Sequence, residues 1–190
     1  MKKINVKDIL VPAVALLIFC LVATALLAGT NMITKDKIAE NAVQTEIASR
    51  EKVLPEGKTY GEVTEAADGV TYCVGYNADG EEVGYVFTSG AKGYGGTVSV
   101  MVGMDKEGNI TGIEILSHSE TPGLGANATK DDFKGRFVGK SGILSVNKSS
   151  NEGQDVQAIT AATITSNAVV NAVNLAAETF NQIAGGESNG

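Results

Sequence analysis

The chain of 190 residues has no tryptophan, one histidine, two cysteines and three prolines. Each shortage closes off a class of chemistry. Cys20 sits inside an apolar run and Cys73 stands alone in a strand-like stretch, so no intrachain disulfide is expected and Cys73 reads as a buried structural thiol. His118 has no second His or Cys at ligand spacing, which argues against a metal site. No Ser/His/Asp arrangement is readable, and no catalytic residue is assigned. Basic residues are the minority, 15 Lys and Arg against 22 Asp and Glu, for a net charge of −7. The imbalance deepens once Lys2, Lys3 and Lys7 are set aside. Without a basic stripe to neutralise phosphates, nucleic-acid binding is disfavoured, and solubility is the plain account of the acidity.

What the chain does have begins at its N-terminus. Residues 9–27 carry no charge, and at about 1.5 Å per residue such a helix spans close to the ~30 Å of a bilayer core. A signal peptide would have an apolar region of only about 7–15 residues, and Leu17, Ile18 and Phe19 are too bulky before Cys20 for lipoprotein cleavage. The reading is an uncleaved transmembrane helix over residues 9–29, with Pro12 in its first turn, where a missing N–H costs little. Three lysines before the helix, against an uncharged stretch after it, place residues 1–8 in the cytoplasm. The chain is then a single-pass protein of the cell (inner) membrane whose remainder is extracytoplasmic.

Residues 30–54 follow as a stalk helix, with Ile38, Ala42, Ile47 and Ala48 in a modest helical stripe, stopped by Leu54-Pro55-Glu56-Gly57. The domain proper occupies residues 55–190. Its strand-like runs are 69–76 with 83–89, and 97–104 with 110–117. Turns rich in Asp and Gly join each pair and predict two hairpins. Residues 90–96, rich in glycine, read as a flexible loop, and a short helix is expected near 130–137. Val169, Val170, Val173, Ala176, Ala177 and Phe180 approach the spacing of an amphipathic helix. The fold class is α+β: a transmembrane helix, a stalk helix, then mixed antiparallel strands with a C-terminal helix packed on the sheet.

Two stretches concentrate small and hydroxylated residues. Asp155-Val-Gln-Ala-Ile-Thr-Ala-Ala-Thr-Ile-Thr-Ser166 crowds Thr160, Thr163, Thr165 and Ser166 at the entrance of the C-terminal helix. There the first N–H groups lack intrahelical partners and the dipole favours an anion such as phosphate. A Thr-rich N-cap accounts for the same spacing. His118-Ser-Glu-Thr-Pro-Gly-Leu-Gly125 follows the fourth strand, and its Pro and Gly residues predict a tight irregular loop projecting Glu120, Thr121 and Leu124.

Taken together and in this order, the two motifs resemble the FMN-binding domain family. The stretch from Thr160 to Thr163 is similar to its flavinylation motif, and Ser119 to Gly125 resembles the loop that faces the flavin. The likeness extends over nearly the whole chain. It is nearest to the G subunit of the Rnf electron-transport complex, with the C subunit of the sodium-pumping NADH:quinone oxidoreductase as the related alternative.

The resemblance implies FMN joined by a phosphoester to Thr163, which makes the chain a phosphoprotein in the chemical sense. Glu120, Thr121, Leu124 and Gly125 would line the flavin, beside Ala161, Ala162 and Thr165. It implies other Rnf membrane subunits as partners, a flavin transferase for maturation, and membrane lipid around the anchor. Ala161 stands where the family usually has Gly. If that position takes a positive φ, Ala costs roughly 1 kcal/mol or more that Gly would not.

The expected function is electron relay within an ion-translocating ferredoxin:NAD⁺ oxidoreductase complex, as one subunit of a translocase rather than a complete enzyme. Without a cysteine cluster or a dinucleotide fingerprint, the chain is not expected to bind ferredoxin or NAD⁺ itself. An anchored FMN-binding sensor or assembly module, or a self-standing reductase, are the rival functions.

Overall fold

A computed structural model describes residues 6–187. Lys2 and Lys3, on which the expected orientation partly rests, lie outside the described residues. The chain divides into two units, Met1–Gln44 and Thr45–Gly190.

Helix α1 runs without a break over Val6–Val53. Its stretch Leu10–Lys35, 26 residues of mean hydropathy 2.8, is long and apolar enough to cross a membrane. Leu10, Leu17, Phe19 and Leu27 are all exposed along it, as side chains that face lipid would be. Thr24, Thr30 and Thr34 turn their hydroxyls back to the carbonyls of Cys20, Leu26 and Thr30. None of these three hydroxyls is then left unpaired in an apolar medium. Pro12 is not in the first turn, as the sequence led us to expect, but inside the helix. The helix is already formed from Val6, so the missing Pro12 N–H withdraws the partner of the Asp8 carbonyl. Of the stalk stripe, the side chains of Ile38 and Ala42 lie outside those described.

The second unit is built on an antiparallel sheet. Its strands are β1 (Thr59–Tyr60), β2 (Thr64–Glu65), β3 (Thr71–Tyr76), β4 (Glu82–Lys92), β5 (Thr97–Asp105) and β6 (Ile110–Ser117). The order is β1-β3-β4-β5-β6, with β2 also on β3. Both expected hairpins are present, β3–β4 and β5–β6. The expected loop at residues 90–96 is mostly strand instead. Gly90, Ala91 and Lys92 pair with Ser99, Val98 and Thr97, leaving a tight turn at residues 93–96. Their small or polar side chains look loop-like in sequence, but the β5 ladder supplies partners for the backbone.

Period-2 alternation sends the strand residues to two faces. Tyr85 and Phe87 of β4 and Val98, Val100, Val102 and Met104 of β5 meet the C-terminal helix α3 (Thr163–Glu187) through Val169, Val173, Ala176 and Phe180. Phe180 meets the Tyr85 and Phe87 rings edge-on, and Ser89 donates to the Ala172 carbonyl at 2.8 Å. On the opposite face Cys73, Val86 and Met101 bury Val53 and Leu54. Cys73 is a free, buried thiol there. The end of α1 approaches the sheet over the facing pair Gly103 and Gly112, where a Cβ on Gly103 would lie 2.1 Å from the Val53 carbonyl oxygen. A register shift beside this pair leaves Thr111 as the extra residue of β6, and its hydroxyl donates to that oxygen at 2.5 Å.

After β6, a 3-10 turn at Gly125–Thr129 starts at a glycine that we expected to forbid regular structure. It leads into α2 (Asp131–Lys134). Strands β7 (Ser145–Asn147) and β8 (Asp155–Gln157) then form a separate parallel pair, and β8 delivers the chain to the entrance of α3.

Candidate functional site

Three segments converge at that entrance: the β4–β5 turn, the loop after β6, and the turn that leads into α3. Between them lies a cleft of about 450 Å³, within the range of small-molecule sites. Glu120, Thr121, Leu124 and Gly125 line it from the loop, and Ala161, Ala162, Thr163 and Thr165 from the helix entrance. The eight residues expected to meet the flavin are therefore brought to one place. Two lining residues, Tyr94 and Ile164, were not anticipated. Tyr94 had a signal available, a lone aromatic in Gly93-Tyr-Gly-Gly96. Ile164 had none beyond its place in the motif.

The turn before α3 explains the substitution at Ala161. The Ala162 N–H closes back on the Ile159 carbonyl at 3.0 Å, so Thr160 and Ala161 are the central residues of a β-turn. Ala161 has φ +60. A positive φ at the second central position is the conformation that favours glycine, and here alanine bears the strain. The turn aims the start of α3 at the cleft. Ser166 is the first residue of the helix whose N–H is bonded back, to Ala162 O at 3.0 Å, so among the described residues those of Thr163, Ile164 and Thr165 remain for an anion.

The four hydroxyls at this entrance have different fates. Thr160 is exposed and faces a separate depression toward Lys130 and Arg136. Ser166 is buried, donating to Ala162 O at 3.0 Å and accepting from the Ile159 N–H at 2.9 Å. Thr165 is buried and donates to Glu120 Oε2 at 2.5 Å. Thr163 alone lines the cleft with its hydroxyl free of any protein partner among the described residues.

Glu120 is 6% exposed, and both its carboxylate oxygens are engaged. Oε1 accepts the Gly95 N–H at 3.0 Å while Oε2 takes the Thr165 hydroxyl. Burial pushes the carboxyl up, but the Thr165 hydroxyl, the Gly95 and Tyr94 N–H groups and the nearby His118 outweigh it and hold it below the usual carboxylate range. His118 Nδ1 accepts the Glu120 N–H at 3.2 Å, fixing the loop's entry. The carboxylate is packed so closely that a Cβ on Gly93 would lie 2.4 Å from Oε1, and one on Gly125 would lie 2.5 Å from Oε2. Glu120 thus ties all three cleft-forming segments together. The wetter, apolar part of the cleft is left to Leu124, Ile164 and Tyr94, which are 43%, 55% and 72% exposed.

The cleft is the right size for a flavin, with free N–H groups and a free hydroxyl for a phosphate and apolar side chains for an aromatic ring.

Comparison with known proteins places this geometry. Residues 93–178 match the model of the FMN-binding domain, and residues 1–53 match that of the RnfG N-terminal region. The G subunit of the proton-translocating ferredoxin:NAD(+) oxidoreductase complex of Clostridium ljungdahlii is 33% identical over 90% of this chain and 91% of its own. The G subunit of the Na(+)-translocating ferredoxin:NAD(+) oxidoreductase complex of Acetobacterium woodii is 34% identical over 88% of this chain and 89% of its own. Among solved structures, NqrC of Shewanella oneidensis shares the fold with a TM-score of 0.54, over 70% of this chain and 73% of that one, at 16% identity. An FMN-binding domain behind an RnfG-type N-terminal helix makes the chain a member of the G-subunit family of ion-translocating oxidoreductase complexes.

Proposed function

We propose that this chain is the membrane-anchored electron-transfer subunit of an ion-translocating ferredoxin:NAD⁺ oxidoreductase complex, holding FMN in the cleft through a phosphoester to Thr163. Residues 1–8 lie in the cytoplasm, 9–29 span the bilayer, 30–54 form the stalk, and 55–190 are the extracytoplasmic FMN domain. The partners are the other membrane subunits of the complex. The observation that carries the attachment site is the state of the four hydroxyls: Thr163 combines access to the cleft with freedom from protein partners.

Bound FMN supplies transfer of one or two electrons; the chain's residues do the rest. The N–H groups at the start of α3 and its dipole bind the phosphate charge. Leu124 and Ile164 exclude water from the ring, and Thr121 offers it a polar group. Glu120 holds the walls in register and adds a fixed negative charge. Attachment forms the bond from Thr163 Oγ1 to phosphorus, releases the hydroxyl proton, and breaks the bond to the leaving group of an activated phosphoryl donor. We assign that step to a flavin transferase.

The test is flavin fluorescence of the denatured polypeptide on a gel, followed by mass spectrometry of the peptide spanning Thr163. A fluorescent band that disappears in Thr163→Val, with an FMN-sized adduct on Thr163, is the expected result. An adduct on Thr160 or Thr165, or none in cells with a working transferase, overturns the assignment.

A further inference from the structure

Tyr94 is the most exposed of the three apolar residues of the cleft, at 72%, and the two motifs give it no role. It is not a lone exposed side chain, because Leu124 and Ile164 are exposed around the same cleft, and such a grouped apolar rim marks a ligand site. Its backbone, by contrast, is tightly held. It sits in the four-residue turn between β4 and β5, where the Gly93 N–H closes on Gly96 O at 2.7 Å. The Tyr94 and Gly95 N–H groups both point at the Glu120 carboxylate. Neither neighbour can carry a side chain: a Cβ on Gly93 would meet Glu120 Oε1 at 2.4 Å, and one on Gly95 would meet the Ser119 carbonyl oxygen at 1.9 Å. The turn is thus pressed onto the loop after β6 while the Tyr94 ring is left free at the rim of the cleft. Among the described residues it is the one aromatic that lines the cleft.

Resting on the FMN reading above, we infer that the Tyr94 ring is a cover for the attached flavin, stacking on its isoalloxazine and setting how far the ring is exposed to water. Two properties of a phenol suit this place. Its face packs on another aromatic face, and its electron-rich ring quenches an excited flavin by electron transfer, the electron returning once the excitation has decayed. Glu120 is the positioning residue, because it fixes the backbone from which the ring projects. Because the backbone is held while the ring is exposed, a change of the Tyr94 side-chain rotamer alone would lay the cover over the flavin or clear it for an incoming partner without rearranging the sheet.

The experiment compares wild type, Tyr94→Ala and Tyr94→Phe as full-length protein, reading the gel band, the native flavin emission, and quenching of that emission by iodide. The gel band reports attachment independently of the cover. With equal bands, Tyr94→Ala is expected to raise native emission several-fold and to increase iodide quenching. Tyr94→Phe should restore the wild-type iodide protection while emission stays above wild type, since phenylalanine stacks but is a poor electron donor. Native emission and iodide quenching unchanged in Tyr94→Ala, with its band intact, overturn the inference and leave the attachment reading standing. If Tyr94→Ala loses its band, Tyr94→Phe decides alone: emission above wild type supports the cover, and emission equal to wild type overturns it. A wild-type chain without a band overturns the FMN reading and this inference together.

Discussion

Thr165 donates its hydroxyl to Glu120 Oε2 at 2.5 Å, joining the first turn of α3 to a loop 45 positions earlier in the chain. Both residues are buried, so the bond is made to a charged acceptor shielded from water. Thr165→Val keeps the shape and removes the donor. Hydrogen bonds to charged groups contribute about 1.5–3 kcal/mol, and the variant should lose stability of that order in urea unfolding. Its flavin band should persist, because Thr163 is untouched. A wild-type midpoint would show that the bond contributes nothing.

The same carboxylate makes stability depend on pH. The folded-state pKa of Glu120 lies below its ordinary value of 4.5. Its contribution is therefore complete above the unfolded pKa and is lost as pH falls through the folded one. In Glu120→Gln, stability should start lower at neutral pH and fall less steeply below about pH 4.3. Unfolding midpoints for the pair across that range check this, and parallel curves would count against it.

Ala161 offers a test with the opposite sign. An L-residue in the left-handed region costs about 1–2 kcal/mol, and glycine removes that strain while adding about 0.5–1 kcal/mol of backbone entropy loss. Ala161→Gly should raise stability by up to about 1.5 kcal/mol, seen as a higher Tm. An unchanged or lower Tm would mean that the turn relaxes around alanine.

Orientation is open to direct chemistry. Cys73 is buried and Cys20 lies in the membrane-spanning stretch, so the native thiol background is low. A cysteine at exposed Lys148 should react with a membrane-impermeant thiol reagent in intact cells. Labelling only after lysis would place the domain on the cytoplasmic side.

Much of this architecture was legible in the residues themselves. The alternation of Val98, Val100, Val102 and Met104 marks the strand side that faces α3, with Met101 buried on the other side, and the i, i+3, i+4 spacing around Val169 and Val173 marks α3. Eight of the ten cleft residues were legible through their two motifs, and the departure at Ala161 marked a position where a positive φ, if present, would be strained, as its φ of +60 is. What could not be read was set by partners distant in the chain. Gly90, Ala91 and Lys92 are strand only because β5 lies alongside, and the parallel pairing of β7 with β8 follows from the packing of 145–157 rather than from local pattern. The commitment of Thr165 and Ser166, as opposed to Thr163, depends on Glu120, Ile159 and Ala162 being near. The Tyr94 ring gains its position from glycines that announce only a turn.

The facing glycines at 103 and 112 have a mechanical meaning. They let the last turn of α1 rest on bare backbone, clasped by the Thr111 hydroxyl at the Val53 carbonyl, with Val53 and Leu54 sunk into the sheet. The footing is therefore shared between β5, an interior strand, and β6, the strand at the sheet's far edge from β1 and β2. Bulkier residues at 103 or 112 would lift the helix off this footing and turn a firm anchorage into a loose tether.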